Sequence, residues 1–183
     1  MAFNPEIHHR RSIRLRDFDY ATAGAYFITV CAHERQCTFG DIVDGVVGLN
    51  EMGGMVRDCW TAVPGHFGQC ALDEFVVMPN HFHGIIQIVG ARFIAPACAG
   101  AMTDKTKGAM NRAPTVGEIV RAFKARCTHT INHHRQTPGA PVWQRNYYER
   151  IIRNDRELAE TRQYIAANPA QWHNDENRPE TTP

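Results

Sequence analysis

The stretch Asp73-Glu-Phe-Val-Val-Met-Pro-Asn-His-Phe-His-Gly-Ile-Ile-Gln-Ile88 leaves a folding chain few choices. Two apolar runs, Phe75 to Met78 and Ile85 to Ile88, flank a Pro79-Asn80 turn signal, which specifies a β-hairpin. Side chains two apart on a strand share a face, with Cα atoms about 6.6–7 Å apart. His81 and His83 therefore converge, while Phe82 points the other way into apolar packing. Two imidazoles so placed can hold one metal ion or one phosphate. The plainer alternative is a pair of surface histidines beside a turn, and the flanking core strands and central Phe82 weigh against it.

The elements around this hairpin follow from period and punctuation. Ala25 to Ala32 is a dense β-forming run. Cys37 to Leu49 carries Gly40, Gly45 and Gly48 among valines and reads as a short twisted hairpin. Asn50 caps a helix from Glu51 to Val63, whose face Met52, Met55, Val56, Cys59 and Trp60 keeps i, i+3, i+4 spacing. Thr115 with Glu118 is a capping box, opening a helix to about His133 with Val116, Ile119, Val120, Phe123 and Cys127 on one face. Val142 to Ile152 reads as one aromatic and β-branched strand. Asn154 with Glu157 opens a last helix, stopped at Asn168-Pro169. Strands and helices in this order specify an α+β, ferredoxin-like antiparallel sheet with helices on one face.

The 183 residues make one domain, placed at 1–173. Residues 90–114 are rich in alanine and glycine and read as a flexible loop. Residues 174–183 are polar and read as a disordered tail. A net charge of +1 announces no global field. Local charge says more, because Arg10, Arg11, Arg14 and Arg16 form an arm without acids. No run approaches the roughly 18 apolar residues of a membrane span. The six cysteines show no Cys-x-x-Cys and, without a signal-peptide pattern, read as reduced core thiols of a cytoplasmic protein.

The last helix supplies the second chemical element. Tyr164 and Asn168 are four apart, so they share a helix face about 6 Å apart along the axis. A phenol with a pKa near 10 needs help to act as a nucleophile. A divalent metal gives that help by polarising a phosphate and stabilising the leaving oxygen. Asn168 can add an oxygen ligand to the two imidazoles. Tyr147 and Tyr148 stay open as other nucleophiles. Strand alternation aims them at opposite faces, though, and neither has a ligand-type partner four residues later.

Met78-Pro-Asn-His-Phe-His-Gly resembles the histidine motif of HUH endonucleases. Trp143-Gln-Arg-Asn-Tyr-Tyr-Glu-Arg-Ile-Ile-Arg-Asn154, followed by Tyr164-Ile-Ala-Ala-Asn-Pro169 and Trp172, resembles the C-terminal half of REP-associated tyrosine transposases. The resemblance covers about Arg14 to Trp172. It implies an HUH core with a C-terminal catalytic helix, a magnesium or manganese ion, and cleavage of single-stranded DNA beside a hairpin. Tyr164 would form a 5′-phosphotyrosine and leave a 3′-OH. His81, His83 and Asn168 carry over as metal ligands, Asn168 where the insertion-sequence relatives typically use glutamine. The missing phosphate-loop motif agrees with a reaction that stores its energy in the covalent bond.

DNA phosphates call for arginine and lysine, and unpaired bases for aromatic platforms. The candidates are Arg14, Arg16, Arg121, Lys124, Arg126, Arg145, Arg150 and Arg153. The expected partner is hairpin or single-stranded DNA, bound by a monomer or homodimer. A second reading keeps the scaffold as a DNA-hairpin-binding module that does not cut. Other metal chemistries fit less well: a histidine-triad hydrolase wants histidine where Ile85 stands, a cupin wants a glutamate that 84–90 lacks, and a zinc hydrolase prefers histidine or a carboxylate to asparagine.

Overall fold

The computed structural model describes residues 23–89 and 113–178. The arm bearing Arg14 and Arg16, most of the expected loop 90–114 and residues 179–183 lie outside the described residues. Among these residues six strands and four α-helices run in the order β1 (Gly24–Cys31), β2 (Gly40–Val43), β3 (Val46–Leu49), α1 (Glu51–Thr61), α2 (Val63–His66), β4 (Cys70–Val77), β5 (His81–Ile88), α3 (Val116–Arg135), β6 (Tyr148–Ile152) and α4 (Asp155–Ala167). The main sheet has strand order β4-β5-β1-β6, with every neighbouring pair antiparallel. This is the ferredoxin-like plan expected from the sequence, and β2–β3 forms a separate small hairpin.

Strand alternation gives the sheet two different faces. Tyr26, Ile28, Val30, Phe82 and Ile86 point to one face, where they pack with Val56, Trp60, Ile119, Val120 and Phe123 of α1 and α3. The Asn50 side chain accepts from the Gly53 N–H at 3.0 Å and starts α1, while Thr115 and Glu118 form the reciprocal cap of α3. The Trp60 ring centre lies 4.6 Å from that of Phe82 and 5.1 Å from that of Phe123. Phe27, Ile85 and Ile152 point to the other face, which α4 covers with Ile165. Arg162 of α4 donates to both oxygens of Asp73 at 2.7 and 2.6 Å, fastening the helix to β4. The helices thus occupy both faces, α1 and α3 on one and the C-terminal helix on the other.

Two expectations change. The strand expected over 142–152 holds only from Tyr148. Gln144 N–H donates to Cys31 O, and the Lys124 ammonium takes the carbonyls of Gln144, Arg145 and Asn146 at 2.6, 3.1 and 3.3 Å. The chain pairs there only through the isolated Ala32–Trp143 bridge, and its next carbonyls turn toward Lys124. Of the cysteines, Cys59, Cys70 and Cys127 are buried as expected, but Cys37 is exposed and Cys31 only half-buried. Among the described residues no helix is long and apolar enough to cross a membrane.

Gly84 sits where Trp60 and Phe82 leave no room, since an added Cβ would lie 2.8 Å from an atom of each ring. Gly84→Ala is expected to destabilise the protein by about 1–3 kcal/mol through overpacking. Urea unfolding checks this, and an unchanged midpoint would contradict the packing described.

Candidate functional site

The register of β5 on β1 sets His83 opposite Thr29 and His81 opposite Cys31. All four project onto the α4 face, and β6 adds Tyr148 opposite Thr29 and Arg150 opposite Phe27. From α4, Thr161, Ile165 and Asn168 are buried, which is one helical stripe. Tyr164 stands beside that stripe and remains 46% exposed. Its hydroxyl lies 3.5 Å from His83 Nε2, and its ring packs edge-on to Phe27 with centres 5.9 Å apart. Tyr164 therefore stands half-exposed at the rim of a buried histidine pair, with its hydroxyl beside His83.

Hydrogen bonding decides what that pair can bind. The Asn80 amide donates to the carbonyls of Arg35 and Asn177 at 3.0 and 2.6 Å, so its Oδ1 faces His81 Nδ1 at 2.8 Å. An amide oxygen only accepts, so the proton is on Nδ1 and the lone pair of His81 is on Nε2. Thr29 Oγ1 lies 2.9 Å from His83 Nδ1 and can hold that ring the same way. His81 Nε2 and Asn168 Oδ1 are buried without a hydrogen-bond partner among the described residues. The Asp175 carboxylate, its side chain only 4% exposed, lies 3.7 Å from His81 Nε2. One ligand atom each of His81, His83 and Asp175 fall within 4.8 Å of one another. Buried lone pairs converging without a donor are what a cation satisfies, so these residues fit the divalent metal expected from the sequence.

The titrations follow from burial. Burial first lowers the His81 pKa to about 4, with Asp175 and the Asn168 amide opposing. Burial, then the charge of His81, holds His83 well below its ordinary value. Both rings are thus neutral ligands at pH 7. Burial, followed by the charges of Asp175 and Glu176, raises the Tyr164 phenol above its ordinary value, and the Asn168 amide opposes this.

The structure brings His81, His83, Tyr164 and Asn168 together. The DNA-contact candidates are dispersed. Arg150 lies on the site face, donating to Thr161 Oγ1 at 3.1 Å with its guanidinium 5.9 Å from the Phe27 ring centre. Arg121 and Arg145 line a groove of about 1010 Å³ between α3 and the segment before β6. Lys124 shares that groove but spends its ammonium on backbone carbonyls. Arg126 donates to His66 at 2.5 Å, and Arg153 stands exposed at the turn into α4.

Sequence reasoning missed Asp175, Asn80, Thr29 and Phe27. Asp175 belongs to the polar stretch expected to be a tail, yet residues 174–178 fold against the site, with Asn177 tied to Asn80 and the Glu176 carbonyl taken by Arg35. The available signal was Trp172, a large aromatic in a polar segment, whose ring centre lies 6.1 Å from that of His81.

No family model matches the chain. The structure overlays on one described as the REP-associated tyrosine transposase bound to a REP hairpin, with a TM-score of 0.56 at 19% identity, covering 88% of this chain and 74% of that one. The chain thus has the α+β fold of that transposase. In sequence it is 42% identical over 177 residues to an uncharacterized protein of Haemophilus influenzae (strain Rd), covering 95% of this chain and 96% of that protein. The chain belongs to the same family as this Haemophilus protein.

The depressed His81 pKa has a consequence for stability. Between its folded value of about 4 and an unfolded value near 6.5, only the unfolded chain binds the proton, so stability is full above about pH 6.5 and falls as pH drops toward 4. In EDTA, urea unfolding is expected to show a loss on the order of 2 kcal/mol from His81 between pH 7.5 and 5, reduced in His81→Gln. Stability that stays flat across this window in the parent would contradict the burial described.

Proposed function

We propose that this protein is a metal-dependent, single-tyrosine endonuclease and strand transferase of the HUH transposase type, acting on hairpin or palindromic single-stranded DNA. One observation carries the reading. The hydroxyl of a half-exposed tyrosine stands 3.5 Å from a histidine whose neighbours include two buried acceptors without a hydrogen-bond partner among the described residues, His81 Nε2 and Asn168 Oδ1. The fold shared with a transposase solved on a REP hairpin supports DNA as the substrate class.

In this reading Tyr164 Oη attacks the scissile phosphorus. The bond to the 3′ oxygen breaks, the phenolic proton passes to solvent, and the leaving oxygen takes one up. The products are a 5′-phosphotyrosine and a free 3′-OH, and reversal of the step joins strands. His81, His83 and Asn168, with Asp175, would hold the divalent ion, magnesium or manganese, which supplies Lewis-acid polarisation of the phosphate when bound. Phe27 and His83 fix the Tyr164 ring by edge contacts, with ring centres 5.9 and 5.4 Å away. Arg150 is the candidate cation on this face for the flanking phosphates, with Arg121 and Arg145 gripping DNA further off.

The raised Tyr164 phenol favours a second reading, in which the protein holds a DNA hairpin without cutting it. A denaturing gel separates the two. End-labelled hairpin DNA, taken from palindromes flanking the gene, is incubated with manganese or EDTA. The parent is expected to give a metal-dependent covalent band that Tyr164→Phe abolishes, while the variant still shifts the DNA on a native gel. His81→Ala and His83→Ala are expected to lose cleavage by at least 100-fold, on the order of 3 kcal/mol of barrier. An adduct that persists in Tyr164→Phe would sink the nucleophile assignment, and a native shift with no adduct in the parent would favour the non-cleaving module.

A further inference from the structure

A second tyrosine shares the cavity with Tyr164, and the proposed chemistry does not use it. Tyr148 is 43% exposed and stands on β6 on the same sheet face. Phe27, only 7% exposed, lies between the two tyrosines, its ring centre 6.4 Å from that of Tyr148 and 5.9 Å from that of Tyr164. Tyr147, its neighbour in sequence, also borders the cavity but packs partly against the α1–α3 core and donates to Glu149 at 2.7 Å. Tyr148 is the more exposed ring on the face of Tyr164.

The walls of this cavity are specific in kind. Its volume is about 530 Å³, within the range of roughly 300–1,000 Å³ usual for small-ligand sites. Gln144, Asn146 and Asn177 line it. Each amide offers both donors and an acceptor, which is the complement of a base edge. Glu176 is the acidic residue in the lining. Its carboxylate can accept from an exocyclic amino group, as carboxylates do from cytosine N4.

We infer that this cavity is a nucleobase subsite. It takes the unpaired base next to the phosphate presented to Tyr164, stacks it on Tyr148, and selects bases with an exocyclic amino group, cytosine or adenine, over thymine through Glu176 and the amides. The inference rests on the reading of Tyr164 as the nucleophile for a DNA phosphate, and it makes the protein itself a reader of sequence at the cut. An aromatic platform alone would be indifferent to base identity, because every base has a π face. Selection comes from the edge groups.

Fluorescence anisotropy tests it on the full chain in EDTA, where cleavage does not interfere. The probes are labelled 10-mers of dC, dA, dT and abasic sugar-phosphate. The parent is expected to bind dC at least fivefold more tightly than dT, and the abasic chain most weakly. Tyr148→Leu is expected to lose roughly 5- to 100-fold in dC affinity, with Tyr148→Phe within about twofold of the parent, because stacking needs the ring and not the hydroxyl. Glu176→Gln is expected to bring dC and dT to near parity. Equal binding of dT and dC by the parent, no binding of any oligomer, or unchanged dC affinity in Tyr148→Leu would overturn the subsite. The manganese-dependent adduct reports separately: base-selective binding without an adduct defeats the cleavage reading alone, and an adduct with flat base preference defeats the subsite alone.

Discussion

Where β5 sits against β1 decides what this protein can be: with His83 opposite Thr29 and His81 opposite Cys31, both imidazoles reach the α4 face, while Phe82 and Ile86 reach the α1–α3 core. Strand side chains repeat every two residues, so a slip of one residue would bury the histidines among Trp60 and Phe123 and turn Phe82 to the α4 face. Gly84 belongs to the same constraint, because any side chain there would strike both rings. The packing of one face therefore holds the chemistry of the other.

On the site face the controlling feature is a surplus of acceptors. Asn80 spends both amide N–H groups on backbone carbonyls, which leaves its oxygen to keep the His81 proton on Nδ1 and turns a lone pair inward. Asp175 adds negative charge and Asn168 an amide oxygen, and His81 Nε2 and Asn168 Oδ1 have no hydrogen-bond partner among the described residues. Burying such a cluster is costly without compensation, and a cation compensates it. The same cation would oppose the burial and carboxylate charge that hold the Tyr164 phenol high. The anionic Asp175 also makes the donor set more attractive to any divalent ion than two imidazoles and an amide alone.

The order of elements, the three helix caps and the convergence of His81 with His83 were legible because each rests on local period or local hydrogen bonding. The i, i+4 placement of Tyr164 and Asn168 was legible for the same reason. Alternation correctly separated Tyr147 from Tyr148, but only the fold shows that Tyr148 faces the cavity of Tyr164. Asp175 was not legible, because it meets His81 across 94 residues of chain through contacts of Trp172 and Asn177 that no local pattern encodes. Lys124 misled for a related reason. A lysine off the apolar face of a helix reads as solvated charge, whereas here tertiary structure turns three carbonyls toward it.

Titration of the metal-free protein with manganese, followed by the loss of the free-ion electron paramagnetic resonance signal, bears most directly on the acceptor cluster. One ion should bind per chain, with binding abolished in His83→Ala and weakened at least tenfold in Asp175→Asn, about 1.4 kcal/mol. No uptake at millimolar manganese, or uptake unchanged in both variants, would show that the buried lone pairs serve something other than a cation.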